Sequence, residues 1–246
     1  MKAVRLISSL ASVVVLIAPL LVSPAEAQRS RAPAEPRAGV FDYYSLVLSW
    51  SPTYCSSVQS TEDDPQCRRG ARPYAFVLHG LWPQYERGFP EDCPTRERPY
   101  VPQAIIDRML DIMPSPRLVI HEYRKHGTCT GLDPAGYYAL SRRLYEKIRI
   151  PSRFISPPEP FFISPQQVVD EFIRANPGLK HEMIAVDCRG SGNRLREVRI
   201  CFSREGNFRA CGSNEYRGAC RASRMYVPPV RGGSGASPAP HGQRAL

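Results

Sequence analysis

The segment FVLHGLWPQ, Phe76–Gln84, leads an apolar run directly to a histidine, a glycine and a Trp-Pro pair. Aromatic and branched aliphatic residues are typical of strands, so Tyr74–His79 is predicted to be a strand that ends at the break Gly80–Pro83. Gly80 allows a sharp turn or the close approach of another group, because it has no Cβ. A lone His79 in this place is more often a packed core residue than a functional one.

A second segment, HEYRKHGTC at His121–Cys129, brings together two histidines, a carboxylate and a cation. Residues 115–126 are predicted to be helical, and on a helix four polar side chains share one arc of about 140°. Tyr123 and Arg124 point away from that arc. Two histidines that exchange a proton beside a carboxylate and a cation are what acid–base cleavage of a phosphodiester requires. The candidates on this face are His121, Glu122, Lys125 and His126.

A zinc site is the first alternative for this segment, because histidine and glutamate are common zinc ligands. The pattern is HExxxH, whereas zinc peptidases place their histidines four residues apart in HExxH. On a helix, His121 and His126 diverge by about 140°, which suits one ion poorly even with His79 as a third ligand. The sequence therefore predicts a site without metal or cofactor, and a zinc metallohydrolase remains the alternative.

The order of the predicted elements favours an α+β fold. Strand patterns come first and last, and helical patterns are grouped between them, which favours a central antiparallel sheet flanked by helices. Proline after Asp133 and after Ser164 marks two helix starts. The predicted elements are a strand at Phe41–Ser51, helices at Pro102–Met113, Asp133–Ile148 and Ser164–Asn176, and a hairpin of Met183–Cys188 and Leu195–Ser203.

The N-terminus has the three parts of an export signal. These are the positive residues Lys2 and Arg5, an apolar run over Leu6–Val22, and small residues within Ala25–Ala27. A membrane anchor is disfavoured, because serines and a proline interrupt the apolar run. Residues 1–27 are therefore predicted to be a cleaved signal peptide. The product is expected in the periplasm or outside the cell, without attachment to the membrane.

Composition divides the rest of the chain into one domain with two tails. Residues 28–38 and 227–246 are rich in Pro, Gly, Ser, Ala and Arg, and they are predicted to be a disordered linker and a disordered tail. Residues 39–226 are predicted to form one domain that acts as a monomer. All eight cysteines lie in this domain. In an exported protein an even number indicates disulfides, although spacing alone leaves their pairing open.

The formal charge of +10 favours a polyanionic partner such as RNA or DNA. Loss of residues 1–27 would lower this charge by only one, because it removes Lys2, Arg5 and Glu26. Many exported proteins are basic without binding nucleic acid, so charge names a class of partner without deciding it.

HGLWP preceded by FVL, together with HExxKHGTC, resembles the two active-site segments of the T2 family of secreted ribonucleases. The resemblance implies a T2-like, disulfide-stapled α+β domain and a metal-free endoribonuclease acting on single-stranded RNA. His126 would be the general base on the ribose 2′-OH, and His79 the general acid on the leaving 5′-oxygen. Glu122 and Lys125 would stabilise the anionic phosphorus, while His121 would hold the phosphate.

The same resemblance implies products, base contacts and disulfides. The products would be 2′,3′-cyclic phosphates and then 3′-phosphates, and DNA would not be cut because it lacks the 2′-OH. Trp82, Gln84 and Tyr123 are candidates for contacting a base, with Tyr123 standing where many members carry Trp. A catalytically idle RNA-binding protein is the remaining alternative. The implied pairs are Cys55–Cys67, Cys93–Cys129, Cys188–Cys220 and Cys201–Cys211.

Overall fold

Strands and helices follow one another over residues 35–230, the part of the chain that the computed structural model describes. The strands are β1 (Tyr43–Trp50), β2 (Phe76–Gln84), β3 (Phe161–Ile163), β4 (Ile184–Arg189), β5 (Arg194–Phe202) and β6 (Met225–Val227). The helices are α1 (Ser51–Cys55), α2 (Gln103–Met109), α3 (Pro116–Lys125), α4 (Pro134–Lys147), α5 (Pro165–Ala175) and α6 (Ser213–Arg217). Short 3₁₀ turns cover Gly127–Thr130, Ser152–Phe154 and His181–Met183.

The strands form one sheet in the order β2-β1-β5-β6-β3, and β4 also pairs with β5. Antiparallel pairs join β2, β1, β5 and β4, and another joins β3 to β6. The predicted α+β fold with its antiparallel sheet and flanking helices is confirmed in these pairs. The pair β5–β6 is an exception to the antiparallel pattern, because these strands pair in parallel through Arg194 and Tyr226. A pairing between two residues so far apart in the chain leaves no local pattern in the sequence.

β2 continues past its predicted end at His79 and stops at Gln84. The prediction of a break at Gly80–Pro83 is therefore wrong. Pro83 lacks a backbone N–H and would interrupt a central strand, but β2 is the last strand on its side of the sheet. The strand can therefore pass through both punctuating residues without losing its pairing to β1.

The irregularity lies at His79 itself. Val47 of β1 pairs with Gly80, and the next residue, Leu48, pairs with Leu78. His79 is therefore the extra residue of a β-bulge. A bulge bends its strand and re-aims the side chain of the inserted residue, and bulges are frequent beside active sites.

The three longest helices in residues 35–230 begin where the sequence predicts. Ser115, Asp133 and Ser164 each accept a hydrogen bond from a backbone N–H in the first turn of α3, α4 and α5. A proline follows each cap, where its missing N–H costs nothing. The helix predicted at Pro102–Met113 is shorter and ends at Met109. The cap at Ser115 fixes the start of α3, the helix that carries the second motif.

An aromatic cluster anchors the sheet to the helices. Trp50, Phe76, Phe154 and Phe172 are at most 3% exposed, and their ring centroids are 4.9–6.1 Å apart. Several of these contacts are edge-to-face, the arrangement that aromatic rings prefer. Phe76 opens β2, so the cluster holds the strand that carries His79 against α5.

Four disulfides join the eight cysteines, in the four pairs that the resemblance implies. Cys93–Cys129 connects the segment after β2 to the turn Gly127–Thr130, which begins directly after His126. It therefore ties together the regions of the two motifs. The others are Cys55–Cys67, Cys188–Cys220 and Cys201–Cys211.

The described residues include only short parts of the predicted linker and tail. The signal peptide predicted at residues 1–27 and most of the linker lie outside the described residues. The tail predicted from residue 227 starts with packed residues, because Val227 and Val230 are buried and Trp50 Nε1 donates to the carbonyl of Pro228. Its remainder, residues 231–246, is outside the described range. None of the helices between residues 35 and 230 combines the length and apolar content needed to cross a bilayer.

Replacing Cys93 and Cys129 together with alanine is expected to lower the free energy of unfolding by roughly 2–4 kcal/mol, because the bridge closes a long loop. The activity that the resemblance implies should fall as well, even at a matched folded fraction, since Cys129 lies three residues from His126. The control is the double alanine variant at Cys201 and Cys211. Denaturant unfolding and activity are measured on both, and an equal loss of activity in the control would contradict a local role.

Candidate active site

His79 projects from the bulge between two carboxylates. Its Nδ1 lies 3.2 Å from Oε1 of Glu197 on β5, and its Nε2 lies 3.6 Å from Oε1 of Glu122 on α3. Burial opposes protonation of His79, and so does the charge of Arg196. The hydrogen bond to Glu197 and the two negative charges outweigh both and raise the pKa of His79. The side chain remains 27% exposed, so a protonated imidazole is open to a ligand.

Glu122 is the buried centre of the site, with only 1% of its surface exposed. Its Oε2 accepts a hydrogen bond of 2.7 Å from Nε1 of Trp82. Burial raises the pKa of the Glu122 carboxyl, against the lowering effect of His79 and of the Trp82 hydrogen bond. A Cβ at Gly80 would collide with this carboxylate, so the absence of a side chain at Gly80 allows the close approach that the sequence predicts.

The indole of Trp82 separates the two histidines of the motifs. Its ring lies 5.1 Å from the His79 ring, which it meets edge-on, and 4.9 Å from the His126 ring, on which it stacks. The guanidinium carbon of Arg199 lies 5.2 Å from the Trp82 ring centroid. Protein groups thus pack around Trp82, which holds the histidines apart and Glu122 in place.

His126 is the C-cap residue directly after α3, and it is 6% exposed. Burial, followed by the positive charges of Lys125, His79 and His121, lowers the pKa of His126 to about 3. Its Nδ1 accepts and donates no hydrogen bond among the described residues. These surroundings favour the neutral imidazole of His126, whereas those of His79 favour its protonated form.

Two further members of the α3 face lie at its border. Lys125 Nζ is 3.1 Å from Oε2 of Glu91, and this hydrogen bond and charge raise the pKa of Lys125. His121 is exposed and lines the same cleft as His79. It is near enough to His126 and Glu122 to lower the pKa of both. The helical arc predicted from the sequence therefore contributes two buried and two accessible groups.

The site does not include Tyr123 or Gln84, two of the predicted base-contacting residues. Tyr123 is 7% exposed, packs against Tyr137 and Tyr138, and donates from its hydroxyl to the carbonyl of Leu132. Its position behind α3 follows from the helical wheel, which directs it away from the polar arc. Gln84 is buried at the far end of β2, where its Oε1 accepts a hydrogen bond from Asn214.

Glu197 is a site residue that the sequence predictions omit. It is 1% exposed in β5, and its Oε2 accepts two hydrogen bonds from the guanidinium of Arg199, at 2.7 and 3.1 Å. The only signal in the sequence is a carboxylate inside a strand, between Leu195 and Val198, where acidic residues are seldom buried without a partner. The partner, His79, is more than a hundred residues away and leaves no local pattern.

A cleft of about 1200 Å³ opens beside His79 and His121. It is lined by residues of α3, of the β4–β5 hairpin and of the segment closed by Cys55–Cys67. The arginines that line it are Arg117, Arg189, Arg194 and Arg196, and the acidic residues Asp63 and Asp64 line it as well. The exposed part of His79 thus opens into a cleft lined by both basic and acidic side chains.

Clusters of potential metal ligands are scarce in the part of the chain that the structure describes. Among residues 35–230, the one group of potential ligands within reach of a single ion is Cys201, Cys211 and Glu215. Its two cysteines form a disulfide, so they do not offer thiolates. His121, Glu122 and His126 do not converge in this way.

A sequence model described as the ribonuclease T2 family matches residues 41–211, which include both motifs and Glu197. The chain belongs to the ribonuclease T2 family. A ribonuclease of Aeromonas hydrophila is 37% identical over 206 residues, which cover 82% of this chain and 89% of that protein. Ribonuclease I of Escherichia coli K12 is 30% identical over 148 residues, 45% of this chain and 55% of its own length. The chain is thus a T2-type endoribonuclease.

Solved structures show the same fold. The self-incompatibility associated SF11-RNase of Nicotiana alata superposes with a TM-score of 0.59 at 21% identity, covering 78% of this chain and all of that one. Ribonuclease MC1 from bitter gourd seeds gives a TM-score of 0.57 at 21% identity, covering 75% of this chain and 99% of that one. At this identity the likeness speaks for the fold alone.

Gly80→Ala is expected to lower ribonuclease activity by at least tenfold while leaving a folded protein. The added Cβ would displace the Glu122 carboxylate and its bond to Trp82, which together position both histidines. The matched control is Gly218→Ala, because no atom lies within 4 Å of a Cβ built there. Steady-state kinetics and thermal unfolding are compared, and unchanged kinetics in Gly80→Ala would show that this packing does not matter for catalysis.

Proposed function

We propose that this ribonuclease is exported and cleaves single-stranded RNA by metal-free transesterification, with His126 as general base and His79 as general acid. The observation that carries the proposal is the placement of two histidines on either side of one indole in opposite electrostatic surroundings. His79 lies between the carboxylates of Glu122 and Glu197, whereas His126 is buried beside positive charge.

The two surroundings favour the protonation states that the reaction needs. A neutral His126 takes the proton of the ribose 2′-OH, and the 2′-oxygen attacks the adjacent phosphorus. A protonated His79 gives its proton to the 5′-oxygen as the P–O5′ bond breaks. The products are a 2′,3′-cyclic phosphate and a free 5′-hydroxyl, and slower addition of water yields the 3′-phosphate. DNA is not a substrate, because it has no 2′-OH.

Three neighbours of these histidines stabilise the anionic phosphorus in this proposal. Glu122 acts as a buried hydrogen-bonding group beside His79, and burial raises the pKa of its carboxyl. Lys125 supplies positive charge at the border, where Glu91 holds its ammonium. His121 is exposed in the cleft and can reach a phosphate there. Charge stabilisation of this kind is often the largest contribution to catalysis.

The proposals that the protein is exported and that it is a monomer rest on separate features. Four disulfides are expected to persist in an oxidising compartment, and the predicted signal peptide would deliver the chain to the periplasm or the medium. The catalytic groups His79, Glu122 and His126 all come from one chain, so the proposed site is complete in a monomer. RNA is the proposed partner, favoured by the charge of +10.

Digestion of single-stranded RNA in the presence of a chelator is expected to proceed and to give 2′,3′-cyclic phosphates, identified by mass spectrometry. His79→Ala and His126→Ala should each slow cleavage by roughly 10²–10⁴-fold. His181→Ala is the matched control, because His181 is exposed and bonded to Asp170. A DNA strand of the same sequence should stay intact.

Each alternative predicts a different outcome of that digest. Loss of activity on chelation, with stoichiometric zinc in the untreated protein, would favour the zinc metallohydrolase. Binding of RNA without any cyclic product would favour an idle RNA-binding protein. Near-normal cleavage by either histidine variant would contradict the assigned mechanism.

The pH dependence of kcat/KM is expected to be bell-shaped and to favour acidic solution. His126 works as the neutral form, so activity rises with pH through its pKa of about 3. His79 works as the protonated form, so activity is lost as pH rises through a pKa held above the ordinary value of 6.5. Initial rates on a dinucleoside phosphate measure both limbs, and a rate that keeps rising into alkaline solution would contradict the assignment.

A further inference from the structure

We propose that Glu197 is a positioning residue for His79. It accepts the Nδ1–H of the imidazole, fixes the ring and its tautomer, and thereby makes Nε2 the atom that transfers the proton. The proposal rests on the proposed role of His79 as general acid. It concerns a carboxylate that neither motif contains and that lies on another strand.

The geometry distinguishes the two nitrogens of His79. Nδ1 is within hydrogen-bond distance of Glu197 Oε1, at 3.2 Å. Nε2 lies 3.6 Å from Oε1 of Glu122, the buried carboxylate of the α3 face, and so faces the reacting groups. When one ring nitrogen of a histidine is held by a carboxylate, the other is left to exchange its proton with a ligand. The tautomer then follows from the partner of Nδ1.

Glu197 is itself held in place. It is 1% exposed, and Arg199 donates to its Oε2 at 2.7 and 3.1 Å, while Arg196 lies 3.5 Å from Oε1. Burial opposes its ionisation, but the bond and charge of His79 and the two arginines outweigh burial and lower the pKa of Glu197 to about 2. Glu197 is thus an ionised carboxylate, a strong acceptor for Nδ1–H.

A second buried carboxylate supports this assignment. Asp187 lies directly opposite Glu197 across the β4–β5 pair, and it is 3% exposed. Its two oxygens accept no hydrogen bond among the described residues, although Arg196 and Arg199 are within 3.8 Å. Burial and the charge of Glu197 raise the pKa of Asp187. Of the two acids, Glu197 therefore keeps the negative charge that acts on His79.

In the proposed step the proton moves from Nε2 to the 5′-oxygen while the P–O5′ bond breaks. The imidazole then becomes neutral and keeps its proton on Nδ1, bonded to Glu197. Glu197 does not take up a proton at any point, because its pKa remains far below that of the imidazole. Its contribution is orientation and negative charge, as a buried aspartate contributes to the histidine of serine proteases.

The decisive test compares two substrates that differ in their leaving groups. A dinucleoside phosphate needs an acid to protonate its 5′-oxygen as it leaves. A nucleoside 3′-(p-nitrophenyl phosphate) needs none, because its leaving group, p-nitrophenolate, is a stable anion. Glu197→Gln removes the charge but keeps the size of the side chain. It should lower kcat on the dinucleoside phosphate by roughly 10²-fold and leave the p-nitrophenyl substrate nearly unaffected. The alkaline limb of its pH profile should move to lower pH.

A matched control is Glu215→Gln. Glu215 is also a buried carboxylate, bonded to the hydroxyl of Tyr43 at 2.5 Å, and it lies outside the catalytic groups. This variant should change neither the leaving-group dependence nor the pH profile. Several charged groups around His79 shape that pH profile. Those that act on it directly are Glu122 on α3 and Glu197 and Arg196 on β5. His126 lies across the indole of Trp82, and Asp187 and Arg199 border Glu197.

The outcomes separate this proposal from the proposed function. If His79→Ala slows both substrates equally, His79 is not the general acid and both proposals fail. If His79→Ala slows only the dinucleoside phosphate but Glu197→Gln slows both or neither, the role of Glu197 alone is overturned. The wild-type protein offers a test that needs no variant. ¹⁵N-histidine NMR should show neutral His79 protonated on Nδ1, and a neutral form protonated on Nε2 would overturn the proposal.

Discussion

The burial of the Glu122 carboxylate is the constraint on which the site depends. A carboxyl group with 1% exposure is costly to bury unless other groups satisfy it. Here Trp82 donates to one oxygen, His79 lies near the other, and Gly80 leaves the room that both need. Because Glu122 belongs to α3 and the other three belong to β2, satisfying this one group fixes the helix against the strand.

The same arrangement gives two histidines opposite tendencies. Both are removed from much of the solvent, and burial alone would disfavour protonation of each. Carboxylates on two different elements raise the pKa of His79, whereas the charged groups that shift the pKa of His126 among the described residues are positive. Their pKa values separate because of what lies beside each ring, and the indole of Trp82 keeps the two surroundings apart. One site can therefore hold an acid and a base at the same pH.

The fold and the motif residues could be predicted because their signals are local. Caps at Ser115, Asp133 and Ser164 mark helices, and helical spacing places Glu122 and His126 on one face. The features that could not be predicted from the sequence depend on contacts between distant segments. They are the contact of Glu197 with His79, the parallel pairing of β5 and β6, and the continuation of β2 beyond Gly80. Tyr123, a candidate base contact through the resemblance, is buried on the side of α3 to which the helical wheel directs it.

The bulge at His79 means that the sheet contains one residue more than its pairing requires. Leu78 and Gly80 oppose consecutive residues of β1, so the ladder is continuous without the histidine between them. A chain shortened by that one residue would regain an unbroken strand and lose the proposed proton donor. The architecture would survive where the chemistry would not. The pairing of the sheet therefore gives no reason for this extra residue, whereas the proposed proton transfer does.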